Sequence, residues 1–483
     1  MPRVLDQSVP CFRFFEDLCE IPHGSGKEKA LSDFLVAFAK KKKLWVNQDA
    51  LGNVFVKKPA SAGYEAAAPL LLQSHIDMVC EKNEDVDHDF LVDPLHLYIE
   101  DGWLKARGTT LGADDGCGVA TMLAILDDDK LAHPALECVF TVEEETGMQG
   151  AAALDYSLLT ARRMIGLDAA GETTTVASSA GGLRVRAHKK LARETYSGVG
   201  ISLFVFGLQG GHSGIFINKE RGNSIKIAGR VLYRVKREGI PFRLVDIHGG
   251  SKDNAIPREC TVVLACAGSD LARILAIVDV VREEVTRELA VSDDGFALTV
   301  TTQSTQEWQV IPGKQTSEMI DLLALLPNGV AAMSMSIPDL VQTSDNVGVI
   351  SIEGAELVVL ISLRSEIESR IEELCDRIVR LCQIFNTEYE IGSRYPGMEF
   401  QAASPFREHF ASVMQELWGQ ELRVRTGHVG GEGGYFARHL PGIQIVTIGP
   451  FIQDVHCPDE TMNVASFHKV YDFLVQFLAR LTT

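Results

Sequence analysis

No stretch of this 483-residue chain approaches the run of about 20 apolar residues that a membrane-crossing helix needs. Its first residues, Met-Pro-Arg-Val-Leu-Asp-Gln-Ser, lack the basic-then-apolar order of a secretory signal. The 10 cysteines are scattered from Cys11 to Cys457 without a CxxC pair. That pattern excludes a zinc ribbon, a zinc finger and a disulfide framework, and it suits reduced thiols in a cytosol. Positive charge is in deficit, with 46 Lys and Arg against 65 Asp and Glu, a net charge of −19. Such a surface disfavours nucleic acid and anionic membranes and attracts cations. No internal repeat or low-complexity linker is visible. A cytoplasmic protein with no nucleic-acid or membrane partner is therefore expected. Its length exceeds one ordinary core, and its 46% hydrophobic content can fill two.

Residues 1–183 alternate between helical and strand patterns. Ser25-Gly-Lys-Glu28 reads as a capping box that opens a helix. Leu70–Gln73, Cys138–Val142 and Met164–Leu167 read as buried strands, and 116–126 reads as a helix. This is the pattern of an α/β domain with a mixed central sheet flanked by helices. Residues 184–392 mix alternating strands with amphipathic helices near 223–237, 270–288 and 366–383, as an inserted α+β domain would. From 393 to 483 the chain returns to the first domain and ends in a helix with an apolar stripe from Phe467 to Leu481.

Polar residues cluster where strands of such a sheet end. His75-Ile-Asp77 follows the first buried strand, and alternation puts both side chains on one side. One ring nitrogen of His75 can then bind a metal while Asp77 holds the other. Asp114 and Asp115 stand between Gly112 and Gly116 in a sharp turn. Taken alone, that turn reads better as an N-cap aspartate plus a turn aspartate. Glu144 and Glu145 lie in Thr-Val-Glu-Glu-Glu-Thr-Gly-Met, residues 141–148, just past a buried strand. Paired carboxylates beside a core are costly unless a positive group holds them. One can bind a metal while the other acts as a base, although alternation does not say which. Together His75, Asp114, Glu145, Asp168 and His456 supply imidazole and carboxylate donors for two divalent ions. Cys117 and Cys457 lie next to these residues and read as small buried side chains rather than nucleophiles.

The motifs Ile21-Pro22-His23, His75-Ile-Asp77-Met78-Val79, Lys105-Ala-Arg-Gly-Thr-Thr-Leu-Gly-Ala-Asp114, Glu144-Glu145-Thr-Gly-Met148, Gly210-Gly-His212-Ser-Gly214, Asn254-Ala-Ile-Pro-Arg-Glu259 and His456-Cys-Pro-Asp-Glu460 occur in this order. With them the chain closely resembles, nearly end to end, the bacterial aminoacyl-histidine dipeptidases. These belong to the di-zinc amidohydrolases, with carboxypeptidase G and the aminoacylases. The resemblance implies two Zn2+ per subunit, with Co2+ or Mn2+ as substitutes. His75 and Asp168 would hold one ion and Glu145 and His456 the other, with Asp114 bridging. Asp77 would orient His75, and Glu144 would be the general base and later the proton donor.

The same resemblance makes the inserted domain a lid that often mediates homodimers. It makes His212 the group that stabilises the oxyanion and gives Asn254, Arg364, His428 and Glu432 to the substrate. A cis peptide is implied after Asp114. The chain departs from the family at Ala169-Ala170, at Met398 and at Gly431, which puts the shape of the substrate pocket in question. The function implied is hydrolysis of Xaa-His and other unblocked dipeptides. The alternatives are an N-acyl amino acid amidohydrolase and a non-catalytic metal-binding descendant.

Overall fold

The computed structural model describes residues 3–482. The chain forms two compact units. One comprises Met1–Ser179, Met398–Thr426 and Gly431–Thr483, and the other comprises Ala180–Gly397 and Gly427–Gly430. Among the described residues, no helix is long and apolar enough to cross a membrane.

The first unit is built on a six-stranded mixed sheet. Its order is Trp45–Gln48, Val54–Lys58, Leu136–Thr141, Leu70–His75, Arg163–Gly166, Gln444–Thr447. The last four strands run parallel, and the first two are antiparallel to their neighbours. Leu70–His75 and Leu136–Thr141 are buried at every position, as strands covered on both faces must be. One cover is the helix Ala113–Asp127, apolar around its circumference and buried from Cys117 to Leu126. It packs with the helices Pro10–Cys19 and Val464–Leu478, where Phe12 and Phe15 meet Phe467.

Parallel strands deliver their C-terminal ends to one edge. His75, the turn holding Glu144 and Glu145, and Asp168 all emerge there. Gly449, after the last strand, passes so close that a Cβ would lie 1.7 Å from the Ala169 carbonyl oxygen, so only glycine fits. A small antiparallel sheet, Ile452–Gln453, Thr461–Asn463, Trp103–Ala106, Leu97–Glu100, brings the loop of His456 beside the turn of Asp114.

The second unit carries a nine-stranded sheet. Its path is Ala297–Val310, Glu194–Phe206, Cys260–Cys266, Phe242–Gly249, Val341–Glu353, Glu356–Ser365, Gly181–Lys190, Glu388–Tyr395, with Gly329–Met333 paired to the side. Along the chain, strand–helix–strand–strand–helix–strand occurs twice, and one copy is inserted after the first strand of the other. The copies meet through their second strands, Phe242–Gly249 and Val341–Glu353. No sequence repeat announces this duplication, because each copy needs only the same apolar periodicity and not the same residues.

One local expectation is overturned. Ser25 caps no helix. Its hydroxyl donates to Asp77 Oδ2 (2.8 Å), and the helix Lys29–Lys41 starts at an uncapped Glu28. Glu28 instead accepts N–H bonds from Gly26 and, across the fold, from Glu143.

Candidate metal centre

His75 is the last residue of its strand and is buried. Its Nδ1 lies 3.0 Å from the backbone oxygen of Asp77 and 3.5 Å from Asp77 Oδ1. A proton on Nδ1 satisfies both and leaves Nε2 as the free donor atom. Nε2 faces Asp114 Oδ1 at 3.2 Å. The other oxygen of Asp114, Oδ2, is 3.4 Å from His456 Nε2, which in turn is 2.8 Å from Glu145 Oε1. One carboxylate thus stands between two histidines. Ligand atoms fall into three overlapping trios, each within 4.8 Å: His75, Asp114 and Asp168; His75, Glu144 and Glu145; Asp114, Glu145 and His456. The peptide between Asp114 and Asp115 is cis. Imidazole nitrogen and carboxylate oxygen at these separations fit borderline divalent ions such as zinc.

Asp77 does more than face His75. Its Oδ1 accepts the N–H of Glu144 (3.0 Å) and its Oδ2 that of Glu145 (3.1 Å). One carboxylate therefore fixes the histidine and the turn that presents both glutamates. Supports of this kind are what hold metal ligands in place. Glu432 is buried, with Oε2 bonded to Gln73 Nε2 (2.6 Å) and Thr141 Oγ1 (2.8 Å), while its buried Oε1 has no partner among the described residues. Neither Gln73 nor Thr141 was singled out in the sequence, although a glutamine in an otherwise apolar buried strand is a usable signal.

Charge is crowded here. Burial opposes the charged form of His75, but Asp114 and Asp77 override it and hold its pKa well above the ordinary value. Bonds to Asp114 and Glu145 raise His456 to about 10. Despite burial, Asp114 is held well below the ordinary carboxyl range by His456 and His75. Burial, then Asp168, Glu432 and Glu145, push Glu144 up to about 9 against the pull of His75. Burial likewise takes Glu432 to about 8. Asp168 is accessible to solvent, and the protein packed around it, then Asp114, push it to about 7. These are carboxylates that a dication would bring back to the ionised form.

The sign of the resulting pH dependence is definite. Glu144 and Glu432 hold protons in the fold that the unfolded chain has released. Their contribution to stability is full below the ordinary carboxyl value and is lost as pH rises through about 8 to 9. Asp77 and Asp114, held low, act oppositely and only at the acid end. In chelator, the melting temperature should therefore fall between about pH 5 and about pH 9, and added zinc should flatten the curve. A flat curve in chelator would contradict this charge arrangement.

Of the two cysteines, Cys117 is buried, with its thiol pushed far up by burial and by Asp115. Cys457 is only partly buried, contrary to expectation, and its Sγ donates to the Asp454 carbonyl (3.1 Å).

The remaining site residues named from the sequence lie in the second unit and cluster there. His212 Nδ1 accepts the Gly214 N–H (3.1 Å), so the proton sits on Nε2. Burial, then Arg364, lower its pKa and favour the neutral ring. The backbone carbonyl of Asn254 accepts the Ser213 N–H (2.8 Å). Arg364 is buried and donates to the Tyr395 hydroxyl (3.1 Å), while its Nε has no partner among the described residues. His428 Nε2 is 2.7 Å from Ser344 Oγ, and burial, then Arg364, lower it to about 3.

Known proteins share this arrangement of elements. The chain is 35% identical to the cytosol non-specific dipeptidase of Escherichia coli over 475 residues, 98% of this chain and 97% of that one. The crystal structure of aminoacylhistidine dipeptidase from Vibrio alginolyticus matches with a TM-score of 0.91 and 34% identity, covering 98% and 96% of the two chains. Aminopeptidase PepT of Bacillus cereus, at 16% identity and a TM-score of 0.57 over 99% and 100%, shares the fold alone. The model of peptidase family M20/M25/M40 matches residues 71–480, a span that runs from the strand of His75 to beyond His456, and the chain belongs to that family.

Proposed function

We propose that this protein is a cytoplasmic two-zinc dipeptidase that hydrolyses Xaa-His and other unblocked dipeptides. The observation that carries the reading is Asp114, whose two oxygens face different histidines. His75 and Asp168 are assigned to one ion, Glu145 and His456 to the other, and Asp114 to both. When bound, such ions supply Lewis acidity, polarising a carbonyl and lowering the pKa of a water to about 7. Glu144 is assigned to take a proton from the attacking water and would later give it to the leaving amine nitrogen. With positive charge beside it, Glu144 is held in the ionised form that can accept a proton.

In the second unit, a neutral His212 with its proton on Nε2 suits donation to a developing oxyanion. Arg364, with an unpartnered buried Nε, suits the terminal carboxylate of a substrate. Asn254 and His428 are assigned to the substrate as well. Glu432 keeps one buried oxygen without a partner, and an α-ammonium is the complement of that oxygen. That favours an unblocked dipeptide over an N-acylated amino acid, as do the names of the dipeptidase relatives. A homodimer is proposed on the family resemblance, and a monomer by light scattering at micromolar concentration would overturn it.

The test compares Ala-His with N-acetyl-histidine. Ala-His should be cleaved faster by about 10- to 100-fold or more, the cost of leaving a buried acid unpaired. The reverse preference would establish the amidohydrolase. Glu432→Gln should raise KM for Ala-His by about 10-fold and leave the zinc content unchanged.

A further inference from the structure

Glu460 ends the motif His456-Cys-Pro-Asp-Glu460, and nothing in the proposed chemistry uses it. It is buried, and its carboxylate collects four consecutive backbone N–H groups. Oε2 accepts from Leu111 (2.8 Å) and Gly112 (3.1 Å), and Oε1 from Ala113 (2.9 Å) and Asp114 (3.4 Å). Those residues lead into the helix Ala113–Asp127, where the first N–H groups have no partner within the helix.

An ordinary cap comes from the residue just before the helix. Here the helix is entered through Gly112, which has no side chain, and the acceptor comes from the loop that carries His456. That loop is already anchored next door, where Thr461–Asn463 pairs with Trp103–Ala106. His456 itself sits at φ 64°, a backbone state that most side chains do not favour, so its loop needs holding. Glu460 therefore spans the two loops whose ligand atoms, Asp114 Oδ2 and His456 Nε2, stand 3.4 Å apart.

We infer that Glu460 is a positioning residue: it locks the Asp114 turn against the His456 loop and so sets the affinity of the metal position formed by Glu145 and His456. Only a carboxylate has lone pairs enough for four donors. Glutamine has the same shape, but its NH2 is turned against two of the N–H groups. The inference rests on the two-ion reading above.

The test titrates metal-free protein with cobalt(II), reading the visible absorption of bound ion together with the melting temperature. The parent should take up two ions in two steps. E460Q should weaken one step by about 10- to 100-fold, the usual cost of losing a ligand's support, and the other, which shares Asp114, by clearly less. H456A should lose that same step, and adding E460Q to H456A should weaken the remaining step no more than E460Q does by itself. E460D keeps the charge with a shorter reach and should fall between parent and E460Q; it carries the test alone if E460Q does not fold. Two unchanged steps overturn the inference, as does equal weakening of both in proportion to lost melting temperature. A parent that binds fewer than two ions overturns the two-ion reading and this inference with it.

Discussion

Glu144→Ala is expected to lower kcat by about 10²- to 10⁴-fold, the usual worth of a positioned general base, while the zinc content per chain stays at the parental level. The two effects separate because Glu144 is assigned to protons and Glu145 to metal. Their backbone N–H groups are held by different oxygens of Asp77, so truncating one side chain leaves the turn and its neighbour in place. Removing Glu144 also removes a carboxyl that burial and Asp168 drive toward protonation. The metal-free variant should therefore be no less stable than the parent at alkaline pH. Kinetics on Ala-His, metal analysis on the same sample and a melting curve check all three outcomes. Near-normal hydrolysis by this variant would remove Glu144 from the mechanism.

Asp114→Ala is expected to abolish hydrolysis and reduce bound metal from two ions to at most one weakly held ion. The carboxylate it deletes faces His75 through Oδ1 and His456 through Oδ2, so both proposed positions would lose a ligand at once. Without the ions, the Lewis acidity they would supply is lost, and Glu144 alone would face a water of ordinary acidity. A second readout needs no metal. His456 is raised to about 10, first by its bond to Asp114, so its imidazole should titrate nearer the ordinary histidine range in the metal-free variant, as NMR would record. Retention of two tightly bound ions would show that Asp114 bridges nothing.

Much of the fold was legible because it rests on local periodicity. The strand at Leu70–Gln73 is found as Leu70–His75, and the helix near 270–288 as Leu271–Glu288. The capping box failed because the same four residues were claimed by a longer-range partner, Asp77. The cis peptide at Asp114 is present, as the family resemblance implied. The duplicated topology of the second unit had no residue-level signature at all. Within the site, the chemistry of each residue was readable from its type and neighbours. The double use of Asp77 was not, since one of its partners lies two residues before it and the other two lie 67 and 68 residues after it.

The sequence alone determined the classes of donor available, the strands that carry them and the family to which the chain belongs. All three depend on short windows or on ordered motifs. Tertiary structure decided which donors meet. Asp114 reaches His75 and His456 only because parallel strands end at one edge and a small sheet folds the last loop back across it. Glu432 becomes a buried acid only where Gln73 and Thr141 enclose it. Such distances are set by sheet order and by loops closed over hundreds of residues, and no local periodicity encodes them.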